Sequence, residues 1–592
     1  MNKTNLMFLF LLGFSLLVSA GSNTAANSST IKKGPIARVV DNYLNRIVPY
    51  DFSGAALVAK KGEVILNKGY GMAIRSKEIP NTAETVLNTG SITKQFTAAA
   101  IMKLEMQGKL NTNDKITKFF KNVPEDKKNI TLHHLLTHTS GVIDAVGDDY
   151  VKAERDETVT KILQAPLQFS PGEEFSYSNA GYSLLAAVIE KVSGKDYETF
   201  LHEQLFKPAG MQFTGYRIPR WSERTVAHWY VGSKDNGTPL EKPYPYWNVI
   251  GNGEILSTTD DMYKWHLALL GDKILSKEAK KKIFTPYLND YGYGWDVLKS
   301  DHGLLIQHDG GSGLGSSAEI RRYIDADVVT ILFCNQGYGR RALFRVIRDK
   351  LKTLVFGGNV NIPPETELKP YPELKRFCGT YSLSGKKGFD IKWENDRLLL
   401  IPTSQEGIDV LFLGDTADAQ SISNLHKLSE SIFKAALKGD FKPFTGVLAN
   451  KEKRAEGVRQ FIEMRIKRYH QQTGKITGVF ALHTLPFQLN GEPVLDTTVQ
   501  LKGEKGSVYF RLFWKNGKNV GVAPLMRPES LSLPILPIKG SSDQFAGYHL
   551  PMAKTISLTF KSGSNGKIKG LIIHHPKKEH VAKKEASAKH IP

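Results

Sequence analysis

Apolar residues recur at helical spacing shortly after Gly90, and this pattern predicts a helix that begins beside a serine. The apolar positions of this helix are Phe96, Ala99, Ala100, Met102, Leu104 and Met106. Gly108 follows them where a C-terminal cap is typical. Ser91 therefore lies at the predicted helix start, where free backbone N–H groups and the helix dipole favour negative charge.

Two further patterns extend this region. A Pro-Gly turn at 171–172 leads into a short extended piece, and a helix is predicted from about residue 181 to 192, before Gly194. An apolar stretch at 304–306 and strand-like runs at 317–324 and 328–334 predict an antiparallel meander. The mixture of helices and antiparallel strands indicates an α/β (α+β) domain.

The C-terminal part alternates in shorter runs after a Pro-rich linker at 361–372. Short strands are predicted at 389–393 and 397–401, then at 497–501, 507–514 and 555–560, with a charged helical stretch at 437–472 between the two groups. The predicted division is a signal peptide at 1–20, a linker at 21–35, a main domain at 36–357, a small β-barrel-like domain at 358–436, a helical linker at 437–475, a second β-rich domain at 476–576 and a basic tail at 577–592.

Composition agrees with several domains, since 592 residues with 41% apolar content can form more than one core. The net charge of +20 raises the question of nucleic acid, but the chain contains no recognisable nucleic-acid module. An anionic envelope polymer such as peptidoglycan is a better candidate partner than nucleic acid. The favoured explanation of the basic residues is a solvated, disordered tail, with Lys577-Lys578 and Lys583-Lys584, that keeps the protein soluble.

The N-terminus predicts export. A basic start at Lys3, an apolar core from Leu6 to Val18 and the small residues before position 21 are typical of a cleaved signal peptide. Position 21 is Gly rather than Cys, so no lipid anchor is predicted, and no later run is long and apolar enough to span a bilayer. We expect a soluble periplasmic or secreted protein.

Two cysteines, Cys334 and Cys378, fall in different predicted domains, which favours unpaired thiols over a disulfide. No Cys/His cluster has metal-ligand spacing, and the pair His574-His575 is a weak signal that we discount. We predict neither a metal nor another cofactor.

Ser91 and Lys94 form the first chemical motif. A lysine three residues after a serine lies one turn along the same helical face, where a neutral amine in a dry, electropositive pocket can accept the serine proton. The competing interpretation is a capping serine beside a surface lysine. The same Ser-x-x-Lys spacing also begins at Ser29, Ser384, Ser431 and Ser564, so helix context singles out Ser91.

Tyr177 and Asn179 form the second motif, on a predicted loop between the Pro-Gly turn and the following helix. A phenol can relay a proton between nucleophile and leaving group, and an amide can bind both Lys94 and a substrate carbonyl. The competing interpretation is a packed tyrosine and a turn-forming asparagine.

The third motif is His308-Asp309-Gly310-Gly311, on the predicted strand that lines the site. The glycines let substrate lie close to the strand, and the Gly311 N–H can join the Ser91 N–H as an oxyanion hole. A lone histidine is more often structural, but His-x-Gly occurs once in the chain, after both other motifs.

These motifs resemble those of the β-lactamase-related serine hydrolases, which include class C β-lactamases, D-alanyl-D-alanine carboxypeptidases, D-aminopeptidases and esterases. The resemblance covers about residues 36 to 357 and rests on these blocks: Gly90–Thr97, Ile130–Gly141, Pro171–Tyr182, Leu256–Met262 and Tyr293–Trp295.

The resemblance implies an antiparallel sheet flanked by helices, with a helical insertion that forms the cleft, and it implies that Ser91 is acylated and then released by water. It assigns the base to Lys94 and Tyr177 jointly, since the acylating base is disputed in a sister class. It also implies that residues 358–436 resemble the β module behind many such catalytic domains.

One departure concerns the substrate. His308 and Asp309 stand where β-lactamases and carboxypeptidases of this group have Lys-Thr/Ser, so the clamp for a substrate carboxylate is weakened. We hypothesise that Asp309 faces the cleft and favours neutral esters or amides, or substrates with a free amine.

Two function classes stay open at this point. The favoured one is an exported serine hydrolase that forms an acyl-enzyme on an amide or ester of a small molecule or peptide. The alternative is a non-catalytic envelope protein that binds peptidoglycan or β-lactams. Retention of Ser91, Lys94, Tyr177, Asn179 and His308 favours the enzyme.

Overall fold

A computed structural model describes residues 30–242, 244–337, 341–394, 396–413, 419–489, 492–525, 531–549, 554–575 and 578–585. The signal peptide predicted at 1–20 lies outside the described residues. Within the described ranges, no helix combines the length and apolar character that crossing a bilayer requires.

The N-terminal domain contains groups of consecutive strands separated by groups of helices. Its helices are α1 (Gly34–Ile47), α2 (Thr93–Met106), α3 (Leu132–Leu136), α4 (Arg155–Gln164), α5 (Asn179–Ser193), α6 (Tyr197–Leu201), α7 (Lys207–Ala209), α8 (Thr259–Leu270), α9 (Lys277–Ile283) and α10 (Arg341–Val355). Its strands are β1 (Ile31–Lys32), β2 (Gly54–Lys60), β3 (Glu63–Tyr70), β4 (Met72–Ile74), β5 (Ile79–Pro80), β6 (Leu87–Asn88), β7 (Tyr230–Val231), β8 (Lys234–Asp235), β9 (Leu256–Ser257), β10 (Asp296–Ser300), β11 (Gly303–Ser312), β12 (Ser316–Tyr323) and β13 (Val328–Cys334).

Seven of these strands form one antiparallel sheet in the order β1-β3-β2-β13-β12-β11-β10. Strand side chains alternate between its faces, so each strand contributes to two cores. One core contains α2, α5 and α8 with Ile306, Ile320 and Ile331 of the sheet. The other contains α1 and α10 with Leu305 and Leu332. The predicted meander at 304–334 is confirmed, with His308 and Ile320 opposite each other in register.

The C-terminal part begins with short helices and strands. Its helices are α11 (Tyr371–Leu374), α12 (Gln405–Ile408), α13 (Ala419–Ala436), α14 (Lys442–Gly446) and α15 (Lys451–Thr473). Its strands are β14 (Gly379–Leu383), β15 (Lys386–Glu394), β16 (Arg397–Pro402), β17 (Ile476–Leu489), β18 (Glu492–Gly503), β19 (Gly506–Lys515), β20 (Lys518–Leu525), β21 (Leu533–Pro537), β22 (Gln544–His549), β23 (Lys554–Ser562), β24 (Ile568–His574) and β25 (Glu579–Lys584).

One closed barrel joins both ends of this C-terminal part, in the order β14-β15-β16-β21-β22-β23-β24-β25. The division predicted from sequence, with one β domain at 358–436 and another at 476–576, is therefore corrected. The chain leaves the barrel after β16 and re-enters it at β21, which pairs with β16 between Leu400 and Leu533. The predicted basic tail also needs correction, because Glu579–Lys584 is the strand that closes the barrel against β14.

The segment between β16 and β21 forms an inserted α/β unit. Its sheet, β17-β18-β19-β20, is covered by α13 and α15, which share a core with Phe510 and Leu512. The stretch predicted as a helical linker at 437–475 is therefore a packed part of this unit, since Ile462 and Tyr469 are buried in that core.

The barrel contacts the N-terminal domain directly. The Tyr50 hydroxyl donates to the Ala546 carbonyl at 3.0 Å, and Arg397 pairs with Asp51 at 2.6 Å. Leu536 of the barrel belongs to the core beneath α1 and α10. Neither cysteine forms a disulfide: Cys334 is buried in β13 and Cys378 precedes the barrel.

Candidate active site

Ser91 lies in a short 3-10 turn, Gly90–Ile92, that runs directly into α2. Lys94 follows one turn later and is fully buried. Its Nζ donates to Ser91 Oγ at 3.2 Å, to Asn179 Oδ1 at 2.7 Å and to the Asn252 carbonyl at 2.6 Å. The amine therefore contacts the nucleophile, as a general base must.

Tyr177 borders the same amine. The Lys94 Nζ lies 4.8 Å from the centroid of the Tyr177 ring. The other side of this ring packs on His138 with centroids 4.2 Å apart, and Tyr291 lies edge-on at 6.5 Å. Burial lowers the pKa of His138 well below its usual value, and its Nδ1 accepts from the Ser178 N–H at 3.0 Å. A neutral, fixed imidazole thus orients the phenol.

Asn179 is the first residue of α5 rather than a loop residue, because the Ser178 side chain caps the helix by accepting from the Gly181 N–H at 2.9 Å. The Asn179 amide donates to Asp144 Oδ1 at 2.9 Å, which leaves its oxygen directed at Lys94. Asp144 also accepts from the Asn179 backbone N–H at 3.2 Å. This carboxylate therefore fixes the amide in the orientation that the lysine needs.

His308 is buried on β11, and the Tyr291 ring packs against both His308 and Tyr177. The His308 Nδ1 lies 2.6 Å from the Asp309 carbonyl, which can only accept, so Nδ1 carries a proton. Its Nε2 lies 2.9 Å from the Tyr291 hydroxyl. Burial raises the pKa of Tyr291 well above its usual value, so the phenol stays protonated and can donate to a neutral imidazole.

Asp309 lies on the other face of the strand. It pairs across the ladder with Glu319, and its carboxylate is 4.0 Å from the Arg345 guanidinium of α10. Strand alternation separates this side chain from His308, and Arg345 partly offsets its charge. The geometry therefore weakens the hypothesis that Asp309 repels anionic substrates inside the cleft.

The glycines of β11 touch the nucleophile turn through the backbone. A Cβ on Gly310 would fall 2.6 Å from the Ser91 nitrogen, and one on Gly90 would fall 2.1 Å from the Gly311 nitrogen. Such distances exclude side chains at both glycines. The backbone of Gly310 and Gly311 therefore packs directly against the backbone of Gly90 and Ser91. The nitrogens of Ser91 and Gly311, the expected oxyanion donors, lie at this contact.

Sequence reasoning placed the main side chains of the cluster but missed four residues that hold them: His138, Asp144, Asn252 and Tyr291. Each stands within or beside a block that resembles the family, such as Ile130–Gly141 or Tyr293–Trp295. Their positions next to these blocks were the available signal. Among the described residues, no group of three or more His, Cys, Asp or Glu side chains can hold a metal ion.

Fold and site together define the class: an antiparallel sheet with helices on both faces, carrying a serine whose hydroxyl contacts a buried lysine. The family model described as Beta-lactamase matches residues 39–352, just over half of the 592 residues. The chain therefore belongs to the β-lactamase-related serine hydrolase family.

Individual relatives agree with this membership. Penicillin-binding protein 4* of Bacillus subtilis (strain 168) is 30% identical over 382 residues, which cover 59% of this chain and 84% of the relative. Protein flp of Staphylococcus aureus (strain MW2) is 33% identical over 273 residues, and the match spans 54% of its length and 43% of this chain.

A solved structure extends the likeness of fold. The octameric penicillin-binding protein homologue from Pyrococcus abyssi aligns with 93% of this chain and 100% of its own, with a TM-score of 0.50 and 20% identity. The family and the site together identify a serine hydrolase that acts on amide or ester bonds. The family fold serves peptidases, amidases and esterases alike.

Proposed function

We propose that this protein is an exported serine hydrolase that cleaves an amide or ester through an acyl-enzyme on Ser91. The single observation that carries the proposal is the contact of the buried Lys94 amine with the Ser91 hydroxyl at 3.2 Å. Burying an amine costs desolvation free energy that an apolar side chain would avoid, so this contact favours a chemical role for Lys94.

Acylation begins when the Ser91 hydroxyl oxygen attacks the substrate carbonyl carbon and gives its proton to the Lys94 and Tyr177 base system. The carbonyl oxygen becomes an oxyanion, which the N–H groups of Ser91 and Gly311 stabilise. As the intermediate collapses, the proton passes to the leaving amine or alcohol, and the carbon–leaving group bond breaks.

Deacylation reverses these roles. The same base takes a proton from water, the hydroxide attacks the acyl carbon, and the proton returns to Ser91 Oγ as the ester bond breaks. Asn179, held by Asp144, is placed to bind the carbonyl of the acyl group while it also accepts from Lys94.

The proposed substrates are neutral esters and amides, including short peptides. By resemblance, His308 stands where β-lactamases and carboxypeptidases of this family have a lysine that binds a substrate carboxylate, and its hydrogen bonds to Asp309 and Tyr291 fit a neutral imidazole. A neutral ring provides less attraction for an anion than an ammonium group does.

Export and an envelope partner are part of the same proposal. The apolar segment after Lys3 supports export, and the net charge of +20 supports contact with anionic polymers such as peptidoglycan. The names of the relatives, which include penicillin-binding proteins, are consistent with a role at the cell envelope.

A fluorophosphonate probe tests the nucleophile directly, because such probes label activated serines. The wild-type protein should be labelled, and Ser91→Ala should not. Ser431→Ala is the matched control, because Ser431 begins another Ser-x-x-Lys on an exposed helix surface and its loss should leave labelling intact.

Labelling that survives in Ser91→Ala would refute the proposed nucleophile. Folded wild-type protein that is not labelled but binds a fluorescent penicillin or peptidoglycan fragments would replace the enzyme with the binding protein considered from sequence. If labelling depends on Ser91, the rates of hydrolysis of a short-chain nitrophenyl ester and of an aminoacyl amide rank the two proposed substrate types.

A further inference from the structure

Glu254 is a buried carboxyl group that the proposed mechanism does not use. It is 3% exposed and lies two residues after Asn252, whose carbonyl accepts from Lys94. Its backbone has φ +70°, in the left-handed region that glutamate rarely adopts. Such a conformation at a functional site suggests that the side chain is held there for a purpose.

One side of Glu254 is tied to the nucleophile turn. The Asn88 amide donates to Glu254 Oε2 at 2.7 Å, and the same Asn88 accepts from the Gly90 N–H at 2.6 Å. The Glu254 backbone N–H also donates to the Gly90 carbonyl at 3.3 Å. Gly90 precedes the nucleophile, so two links through Gly90 connect Glu254 to the position of Ser91.

The other side of Glu254 is tied to the opposite wall of the cleft. Its carboxyl hydrogen-bonds with Tyr150 and Ser312, whose hydroxyls lie 2.6 Å from each other. Ser312 is the last residue of β11, the strand that carries His308 and Gly311. Glu254 thus joins the nucleophile turn, the Tyr150 loop and the end of β11.

The ionisation of this group follows from its surroundings. Burial raises the pKa of Glu254 to about 7, and the neighbouring Asp149 carboxylate adds to the rise, against the hydrogen bonds of Tyr150, Asn88 and Ser312. The other titratable groups that face it are Tyr216 and Tyr244. Below neutral pH the carboxyl is protonated and can donate on one side while it accepts from Asn88 on the other.

We propose that Glu254 is a positioning residue whose carboxyl group holds the Ser91 turn against the end of β11. This inference rests on the function proposed for Ser91. Deprotonation would place a negative charge in a buried pocket beside the Asp149 carboxylate, which repels it, and would remove the hydrogen that the carboxyl can donate to Tyr150 or Ser312. The network would then loosen, and the nucleophile would lose its alignment with the oxyanion donors.

The test compares Glu254→Gln with Glu254→Ala. Glutamine keeps one donor and one acceptor but cannot ionise, whereas alanine removes both links. The rate of fluorophosphonate labelling and the kcat and KM for a nitrophenyl ester are measured from about pH 5 to about pH 9. Glu198→Gln is the matched control, since Glu198 is a half-buried carboxyl whose pKa is also raised by burial, but it binds the backbone N–H groups of 216–218.

We expect the ratio of the wild-type labelling rate to that of Glu254→Gln to fall as pH rises through about 7, as the pKa of Glu254 implies. Glu254→Gln should match wild type at low pH, and Glu198→Gln should show the same fall relative to Glu254→Gln. Glu254→Ala should lose about tenfold in kcat at all pH values with KM little changed, as expected for a misaligned nucleophile.

The outcomes separate the two proposals. Folded wild-type protein without labelling at any pH would refute the hydrolase and this inference with it. Labelled wild type with the same pH profile as Glu254→Gln would refute the inference alone. If Glu254→Ala fails to fold, as melting would reveal, the pH profile of Glu254→Gln still decides.

Discussion

Two helices of this protein carry the same Ser-x-x-Lys spacing in opposite environments. At the start of α2, Lys94 is fully buried and its Nζ donates to the hydroxyl of Ser91. On α13, the Lys434 side chain is 56% exposed and pairs with Glu430 at 2.9 Å, while Ser431 Oγ donates back to the Leu428 carbonyl. The spacing is therefore insufficient to produce a nucleophile and its base.

The difference lies in what surrounds each amine. The oxygens that Lys94 contacts on Ser91, Asn179 and Asn252 are neutral, so they can accept from an ammonium or lie beside an amine. Lys434 instead lies in solvent and pairs with the Glu430 carboxylate, and its amine does not contact Ser431 in the described hydrogen bonds. Burial and neutral hydrogen-bond partners distinguish the copy that we propose as the catalytic pair.

Removing each lysine in turn should produce the largest difference in activity between the two Ser-x-x-Lys copies. Lys94→Met should lower kcat/KM for ester hydrolysis by about 1000-fold or more, because the proton acceptor for Ser91 is lost. Lys434→Met should change kcat/KM by less than about twofold, since an exposed pair contributes little. Steady-state kinetics of both variants, with melting curves, provide the measurement. Comparable losses in the two variants would contradict the distinction.

Replacing the phenol should have the next largest effect. Tyr177→Phe keeps the ring that packs on His138 but removes the hydroxyl, so kcat should fall by about 100-fold with the fold intact. Single-turnover kinetics would show whether acylation or deacylation slows. A variant with wild-type turnover would leave Lys94 as the sole base and exclude the phenol from proton transfer.

The N-terminal domain was largely predictable because its signals are local. A serine before a run with helical apolar spacing, a helix that ends before Gly194 and a strand meander at 304–334 each lie within a short window. That these elements meet in one cleft was predicted from the resemblance to the family, not from periodicity. The expectation that Asp309 faces the cleft was wrong. The sequence alone does not show that Arg345 of α10 lies beside this side chain.

The C-terminal barrel was not predictable in the same way. Alternation identifies β15 and β16 as strands, but it does not reveal that β16 pairs with β21 across the whole inserted unit. Helix α13 was missed within the predicted β domain, although it covers the sheet that begins at β17. Strand partners are set by tertiary packing, which a single sequence does not encode locally.

The smallest of these effects concerns Asp144, which touches the site only through Asn179. Asp144→Ala removes the acceptor that fixes the Asn179 amide, so its oxygen loses its preferred orientation toward Lys94. One such hydrogen bond is worth about 1.4 kcal/mol, which predicts a loss of about tenfold in kcat/KM. Ester hydrolysis measured beside Asp144→Asn tests this.

The asparagine variant distinguishes orientation from charge. It retains a side-chain oxygen that can accept from the Asn179 amide, so it should recover most of the activity that alanine loses. If asparagine and alanine at 144 lose the same amount, the negative charge near Lys94 matters more than the hydrogen bond. In that case the buried amine of α2 would depend on a nearby carboxylate, as Lys434 does, and the contrast between the two Ser-x-x-Lys copies would rest on burial alone.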